Sequence, residues 1–413
     1  MSRFFKKDPV EKAKKYVEKA LREIEANDFE YASIEYEKAA KQFVVAGRSD
    51  FAVKYFREAA FCAIEEEDYI RSSEMKICAA ETLLLDSRFS EAGGFYSEAS
   101  DQVYRMKKTN LSFAYLSSSI MCNLAARNFE TAVNLFKKVE KRSSGQKHSS
   151  VEFASICTKV LADGESTTIS KLKKASSKVK ITPAEEALIQ LLTESMEIAL
   201  QTEIVIEWAG KPQDEVSAKI PIEFELRYSC PVPVRVTNHR YSLSNSLTFE
   251  KEPQIEERQS EDGSWLLTVN PVLSGDGTIG PFKLTLEGNK VLMHKHSNKI
   301  DFRIAKAPAD LKMDMTPERI SCDLGDEVVF DIEIRNEGAG PADNILMMIV
   351  LSDGLELSLG TEETVIQYLG SQEKMPFHAY VRGLGMGDEL VTVILKYPRT
   401  GFEITRTGMV RVG

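Results

Sequence analysis

A spacing of 20 residues constrains this chain more than any other feature. A small residue, an aromatic or long residue four positions later and a small residue seven positions later recur together. Residues at i, i+4 and i+7 share one face of a helix. The spacing therefore predicts a helix every 20 residues and a helical hairpin every 40, which is typical of an α-solenoid of the TPR type. The copies start at Ala32, Ala52, Ser72, Ala92, Ser112 and Ala132.

After Gln201 the apolar period changes from 3.6 to 2, which indicates β-strands. Two sets of short strands match at an offset of 108, so that Phe224 corresponds to Ile332. About 100 residues of short strands per set is typical of an Ig-like sandwich. We expect a multidomain α-then-β fold, with an antiparallel helical solenoid over 1–201 and Ig-like antiparallel β-sandwiches over 202–307 and 308–413. The last helix, from Pro183, is expected to cap the solenoid with a polar outer face.

Charge is distributed unevenly along the chain, whose net charge is −10. Residues 101–180 hold 15 Lys+Arg against 6 Asp+Glu, a net of +9, whereas 1–100 carry −4 and 181–413 carry −15. Such a region can bind an acidic helical protein, or it can be a solvated helix face. Nucleic acid is not expected, because no aromatic residues interleave with the cations. The candidate partner-binding residues are Lys137, Lys138, Lys141, Arg142, Lys171, Lys173, Lys174 and Lys178, and we expect the two groups to lie close together.

The N-terminus provides a second candidate surface. Phe4 and Phe5 lie between Arg3 and Lys6, a combination that suits a membrane interface, although both rings could instead pack on the first helices. No apolar run is long enough for a transmembrane helix, and the first residues lack the apolar core of a signal peptide. Six scattered cysteines without a Cys-x-x-Cys pair indicate core residues in a reducing compartment. We expect a cytoplasmic protein with peripheral membrane contact as an option.

No motif in the sequence gives a strong indication of a catalytic, nucleotide-binding or metal-binding site. The Gly275-x-Gly277-x-x-Gly280 pattern precedes a strand rather than opening a helix, so it predicts a hairpin loop and not a nucleotide site. His294 and His296 would supply half of a metal site, but no third ligand is identifiable, and an exposed edge strand explains them as well. We expect no cofactor, no small-molecule substrate and no enzymatic activity.

The small–aromatic–small pattern is most complete at Ala32, Tyr36, Ala39, Ala40, Phe43, Ala52, Phe56, Ala59, Ala60, Ala92, Tyr96 and Ala99. In these residues the helical array, over roughly residues 10–200, resembles the soluble NSF attachment proteins (SNAPs). The resemblance implies an adaptor that grips a SNARE coiled coil on a concave, partly basic face and engages a hexameric ATPase. Two features of that family are missing. The connection between the first two helices, Glu25 to Phe29, is too short for an apolar membrane loop. The helices also continue into sandwiches instead of ending in a leucine-containing tail.

The second set of strands contains an alternating apolar strand followed by a glycine-rich turn, formed by Val328, Phe330, Ile332, Ile334, Asn336, Gly338, Gly340 and Ala342. In these residues the second sandwich resembles the Ig-like CARDB class, which implies an interaction module without chemistry of its own. The order of solenoid and sandwiches is also similar to that of coat adaptors with appendage domains. We expect a non-enzymatic protein-binding adaptor or scaffold, SNAP-like or coat-adaptor-like, in membrane trafficking. The alternatives are a general TPR scaffold or co-chaperone unrelated to membranes, and an enzyme with a site at the domain interface.

Overall fold

The computed structural model describes residues 8–143, 148–179, 182–255 and 259–413, in which helices precede β-strands. This order confirms the expected α-then-β architecture. The helices are α1 (Pro9–Glu25), α2 (Phe29–Val45), α3 (Ser49–Glu65), α4 (Tyr69–Leu85), α5 (Phe89–Arg105), α6 (Thr109–Ala125), α7 (Phe129–Ser143), α8 (Ser149–Leu161), α9 (Ile169–Ser176) and α10 (Glu186–Gln201). The strands up to residue 305 are β1 (Glu203–Trp208), β2 (Glu215–Ser217), β3 (Ile222–Arg240), β4 (Leu247–Phe249), β5 (Ser260–Pro271), β6 (Gly275–Ile279), β7 (Lys283–Glu287), β8 (Leu292–His296) and β9 (Ile300–Ala305). The later strands are β10 (Leu311–Thr316), β11 (Arg319–Cys322), β12 (Glu327–Asn336), β13 (Ala342–Leu351), β14 (Leu355–Leu359), β15 (Glu363–Leu369), β16 (Lys374–Gly383), β17 (Gly387–Tyr397) and β18 (Phe402–Val412).

The helical spacing is regular. Each of α1 to α6 spans 17 residues, and their first residues, like that of α7, follow one another at intervals of 20. The residues of the repeat are buried between the helices, as Ala52, Phe56 and Ala59 on α3 show. Small side chains let neighbouring helices approach closely, and the larger side chain fills the groove between them.

The turns between these helices are alike. Each helix is followed by one residue with φ between 56° and 67°, and these residues are also 20 apart: Asn27, Gly47, Glu67, Ser87, Lys107 and Arg127. At the first of these turns, Asp28 N donates to Glu23 O at 2.8 Å and Asn27 N donates to Ile24 O at 2.9 Å. This is the Schellman arrangement, which satisfies the last carbonyls of a helix. Because the turns are short and equivalent, α1, α3, α5 and α7 all end at the same end of the array.

The two sandwiches are built on the same strand order. One layer runs β4-β5-β3-β1 in the first sandwich and β14-β16-β12-β10 in the second. In the opposite layers, β2 pairs in parallel with β9 as β11 pairs with β18, and β6 pairs with β9 as β17 pairs with β18. Phe224 and Ile332, which the offset of 108 relates, lie on the equivalent strands β3 and β12, and both are buried. Phe224 pairs with Trp208 and Leu267, whereas Ile332 pairs with Met315 and Phe377, so the partners differ by 107 and 110 positions and no single offset relates the two sandwiches.

One hairpin distinguishes the first sandwich from the second. The chain passes from β17 to β18 through a short turn, whereas β7 and β8 are inserted between β6 and β9. The inserted hairpin extends the sheet, since β7 pairs with the C-terminal part of β3. On its other side, the hairpin packs against α8 and α10. The insertion therefore joins the helical array to the first sandwich.

Polar contacts reinforce this joint. Arg127, in the turn before α7, donates to Glu287 Oε1 at 2.5 Å and to Gly288 O at 2.9 Å. From α10, Ser195 Oγ donates to Lys290 O at 2.7 Å. In the opposite direction, the buried Lys295 Nζ donates to Ala199 O at 3.0 Å, near the C-terminal end of α10. A cation at a helix C-terminus also interacts favourably with the helix dipole.

The last helix is not a polar cap, contrary to the sequence-based expectation. Leu192, Met196 and Ala199 of α10 are buried, and α10 contacts β3 and β8. One hydrophobic core accordingly runs without interruption from α4 into the first sandwich, while the second sandwich has a core of its own. A capping helix needs a polar outer face only where it is exposed to water. Here the first sandwich covers that face of α10.

Among the described residues, no helix combines the length and the apolar character needed to span a bilayer.

The repeat can be tested at Phe56, which is 3 % exposed and belongs to the core of the first helices. We expect Phe56→Ala to lower the free energy of unfolding by about 3–5 kcal/mol, because it removes a buried ring and leaves a cavity. Urea unfolding of the full chain, followed by circular dichroism at the helical band, measures the effect. Phe61→Ala is the matched control, since Phe61 lies on the same helix and is 54 % exposed. Equal losses for the two variants would contradict the repeat.

The joint should be sensitive to acid through His294. Its ring meets Phe129 edge-to-face, with the centroids 5.2 Å apart, and Nδ1 lies 3.0 Å from Thr285 Oγ1. Burial, assisted by Lys283, His296 and Arg240, lowers the pKa of His294 from 6.5 to about 4. Below pH 6.5 the unfolded chain therefore binds a proton that the folded chain does not, and stability falls until about pH 4.

The measurement is the melting temperature of the first sandwich between these pH values, by fluorescence of Trp208 and Trp265. Both tryptophans of the chain lie in this sandwich. His294→Phe keeps an aromatic ring but cannot titrate, so we expect a shallower loss of stability with falling pH. A slope as steep as that of the unchanged protein would rule out His294 as a cause.

Candidate functional site

The C-terminal ends of α5 and α7 form a basic surface. It consists of Arg105, Lys107, Lys108, Lys137, Lys138, Lys141 and Arg142, and we call it the α5–α7 basic surface. Asp101 of α5 holds the two helix ends together. Lys138 Nζ lies 2.7 Å from Asp101 Oδ1, Arg142 Nη2 lies 2.8 Å from the same oxygen, and the Arg142 guanidinium stacks 4.1 Å from the ring centroid of Tyr104.

These contacts separate the cations that hold α7 against α5 from those that are exposed. Burial acts to raise the pKa of Asp101, but the hydrogen bonds from Lys138 and Arg142 outweigh it and the pKa is lowered. Lys138 and Arg142 are thus engaged in packing α7 on α5. Lys137 and Lys141 are exposed, four residues apart on α7, and make no ion pair with any described residue. The sequence could not separate these roles, because Asp101 is 36 positions before Lys137.

The neighbouring helix ends carry the opposite charge. Where α5 is followed by Lys107 and Lys108, the equivalent positions after α3 are Glu67 and Asp68. Both sets lie at the same end of the array, because α3 and α5 point in the same direction. This end of the molecule therefore changes from acidic to basic along the superhelix, and its field can orient a charged partner.

The α9 lysines do not join this surface. Lys171, Lys173, Lys174 and Lys178 are exposed, and Lys173 Nζ lies 3.2 Å from Glu197 Oε1 of α10. Glu197 is two residues from Ser195, which contacts the first sandwich. Lys141, in contrast, is twelve residues along α7 from Phe129, or about 18 Å at 1.5 Å per residue, and Phe129 is the α7 residue that meets the sandwich. The expected single basic region is thus two regions, because α8 folds back beside α7 and returns the chain towards the sandwich.

The candidate membrane contacts Phe4 and Phe5, with Arg3 and Lys6 beside them, lie outside the described residues.

A groove between α2 and α4 has no counterpart in the sequence analysis. It has a volume of about 520 Å³, and the exposed Val45 and Leu85 lie on it, with Glu81 at its side. The segment before α10 forms one wall and is fixed by Glu185, which is buried and accepts hydrogen bonds from Ser118 Oγ at 2.6 Å and Thr182 N at 3.1 Å. Burial raises the pKa of Glu81, and the charge of Glu185 adds to this, against a hydrogen bond with Thr182 that lowers it. Only the tertiary structure brings these segments together, since about a hundred residues separate Glu81 from Glu185.

The motifs that suggested chemistry have structural roles. Gly275, Gly277 and Gly280 do not form the expected hairpin loop, because Gly275 and Gly277 lie within β6 and pair with β9. His294 lies on an edge strand, as expected, but α8 and α10 pack against that strand. Within the described ranges, no group of three or more His, Cys, Asp or Glu residues is arranged to hold a metal ion.

The described cysteine thiols are free, as the absence of a Cys-x-x-Cys pair indicated. Burial raises the pKa of Cys62 and of Cys78 to about 11. Burial also raises the pKa values of Cys122 and Cys157. A buried thiol with a raised pKa is a poor nucleophile, so these residues serve as small core side chains.

Comparison with known proteins gives no family. No protein-family model matches the chain, and no curated protein matches it. Similar solved structures include a CARDB domain from Pyrococcus furiosus determined with di-metal ions, at 13 % identity and a TM-score of 0.21, covering 25 % of this chain and 93 % of that domain. The adhesin InvE of Yersinia pseudotuberculosis has 12 % identity and a TM-score of 0.21, covering 51 % of this chain and 58 % of the adhesin.

The titin domains Z1Z2 in complex with telethonin have 12 % identity and a TM-score of 0.24, covering 51 % of this chain and 98 % of that one. Such values are too low to indicate what this chain does.

Proposed function

We propose that the protein is a non-enzymatic adaptor that binds an acidic helical segment of another protein on the α5–α7 basic surface. The observation that carries the proposal is the pair Lys137 and Lys141, two exposed cations one helical turn apart that make no ion pair with a described residue, although Glu140 lies between them on the helix. Their spacing matches the one-turn spacing of acidic side chains along a partner helix. The last helical turns of α5 and α7 also favour cations for their own stability, but that requirement is met by Arg105 and Arg142.

The acidic residues Glu67 and Asp68 after α3 give the partner a direction. An acidic helix placed across the ends of α5 and α7 would be repelled by Glu67 and Asp68, so it would lie on the basic side only. Charged groups across an interface contribute more to the rate and orientation of association than to affinity. An elongated bundle with acidic stripes, such as the coiled coil implied by the SNAP-like resemblance, suits this surface. A role in membrane trafficking is part of this proposal.

The groove between α2 and α4 favours a second candidate, a general scaffold unrelated to membranes. Val45 is 70 % exposed and Leu85 is 68 % exposed, so this groove can bury apolar side chains of a partner. Apolar anchors in a groove carry most of the energy where a helix binds another protein. The two candidates use different surfaces, and variants can separate them.

The test uses a synthetic two-stranded coiled coil with glutamate at its exposed positions, labelled for fluorescence anisotropy, and the full chain. We expect Lys137→Glu combined with Lys141→Glu to weaken binding about tenfold. Each exposed ion pair contributes about 0.2–1 kcal/mol, reversal replaces attraction by repulsion, and a factor of ten corresponds to about 1.4 kcal/mol. Added salt should weaken the binding of the unchanged protein as well.

The matched control is Lys171→Glu combined with Lys174→Glu, which makes the same change of charge on α9. Equal weakening by both double variants would mean that net charge alone governs binding. Binding that is lost in Val45→Asp with Leu85→Asp, and kept in Lys137→Glu with Lys141→Glu, would favour the general scaffold. Co-sedimentation with vesicles that contain phosphatidylserine tests whether the basic surface prefers lipid to protein.

A further inference from the structure

The turns that follow α3 and α5 lie side by side at one end of the helical array, since both helices point in the same direction. We call residues 65–68 the acidic turn and residues 105–108 the basic turn. Their charged members, with a net of −4 on the first turn and +3 on the second, are Glu65, Glu66, Glu67, Asp68, Arg105, Lys107 and Lys108. All of them are exposed, and none forms an ion pair with a described residue.

Neighbouring residues do not neutralise either turn. Residues 58–70 contain no Lys or Arg. The next cation, Arg71, turns towards α2, where it donates to Glu37 Oε2 at 2.7 Å. Residues 102–129 contain no Asp or Glu, and Asp101 is already engaged in holding α7 against α5. Each turn therefore presents to solvent a charge that the rest of the described chain leaves uncompensated.

The outer helices continue this division of charge. At the same end of the array, the exposed charged residues beside the turn after α1 and on the last turns of α7 are Arg22, Glu25, Glu30, Lys137, Glu140 and Lys141. The majority is negative on α1 and positive on α7. The sign of the charge thus changes once across the four helix ends, between α3 and α5.

This pattern is complementary to itself. In a two-fold symmetric contact the same surface of two copies meets. An axis placed between α3 and α5 brings α3 of one copy against α5 of the other, and α1 against α7. Every negative helix end then meets a positive one.

Uncharged side chains lie where the sign of the charge changes. Tyr69 begins α4 directly after the acidic turn, Met106 lies within the basic turn, and both side chains are exposed. Because α4 packs against α5 and begins where α5 ends, both residues lie close to the axis of such a contact. Tyr and Met are enriched in protein–protein interfaces. The centre of the contact can therefore bury apolar surface while the charges on either side pair.

We propose that two copies of the chain form a two-fold symmetric dimer, in which the acidic turn of each copy meets the basic turn of the other. Charge favours a second copy over an acidic helix of another protein, because such a helix complements the basic turn alone and leaves the acidic turn unpaired. A second copy pairs both turns at once. The dimer would cover part of the α5–α7 basic surface and compete with the acidic partner. This competition, unlike the dimer itself, rests on the proposed function.

The experiment measures the mass of the full chain by sedimentation velocity and light scattering, at low ionic strength and over a wide range of concentration. We expect the mass of a dimer, which falls towards that of the monomer on dilution. Added salt should have the same effect, because it screens exposed charges. No acidic partner is present, so this result is independent of the anisotropy experiment that tests the proposed function.

Two variants exchange the turns, which occupy equivalent positions 40 residues apart in the repeat. The basic-turn variant combines Glu65→Arg, Glu66→Met, Glu67→Lys and Asp68→Lys. The acidic-turn variant combines Arg105→Glu, Met106→Glu, Lys107→Glu and Lys108→Asp. Both should fold, because Glu67 and Lys107 share a positive φ, of 56° and 62°, and α6 already begins after Lys108 without a side-chain cap. Circular dichroism and thermal melting confirm the folding.

Each variant alone brings like charges together, so we expect the dissociation constant of its dimer to rise about tenfold or more. A mixture of the two variants should recover the dimer mass, with one copy of each, because both of its contacts again join opposite charges. The control combines Lys171→Glu, Lys174→Glu and Lys178→Glu, a change of net charge of similar size on α9, and it should remain a dimer.

A monomer at every concentration of the unchanged protein at low ionic strength would overturn the proposal. So would a dimer that is unaffected in either turn variant, or a mixture of the two variants that stays monomeric. Masses that grow beyond the dimer would show an open assembly in place of the two-fold contact. Dissociation of the control to the same extent would mean that net charge, and not this end of the array, governs association, and would overturn the proposal as well.

Discussion

Close packing of helices at small residues is the constraint on which the rest of this structure depends. Side chains such as Ala52 and Ala59 leave room for neighbouring helices, and a residue of positive φ ends each of the first six helices at the same position. Helix length and turn geometry are thus fixed together. As a result the ends of alternate helices lie side by side, and charges far apart in the chain form one continuous surface.

The inserted hairpin β7–β8 is the second element that organises the molecule. It fills the space against α8 and α10 and merges two cores into one. Arg127 has two roles in this joint. It ends α6 with a positive φ, and its side chain also binds Glu287 of the hairpin. The second sandwich lacks the hairpin, keeps a separate core and leaves Val350 and Leu390 of its sheet exposed. Two copies of one fold have therefore acquired different surfaces.

Ion pairs at the helix ends show why charge counts along a chain are an uncertain guide to binding. The +9 of residues 101–180 includes Lys138 and Arg142, which Asp101 holds, and Lys173, which Glu197 holds. Exposed pairs of this kind contribute little to stability, but they remove cations from the set available to a partner. The α9 lysines lie towards the end of α10 that contacts the first sandwich. What remains as a candidate is a smaller surface, on which Lys137 and Lys141 of α7 form no ion pair with a described residue.

The sequence alone determined the helical spacing, the change to strands after Gln201 and the presence of two sets of strands. These features follow from local periodicity, because burial on a helix or a strand repeats every 3.6 or every 2 residues. The sequence did not determine that α10 is buried against a sandwich, since its apolar face is equally compatible with a cap. The partners of Lys138, the separation of the two lysine groups and the exposure of Leu390 were decided by the tertiary structure. Each of them depends on which distant segment covers a residue, and no local pattern contains that information.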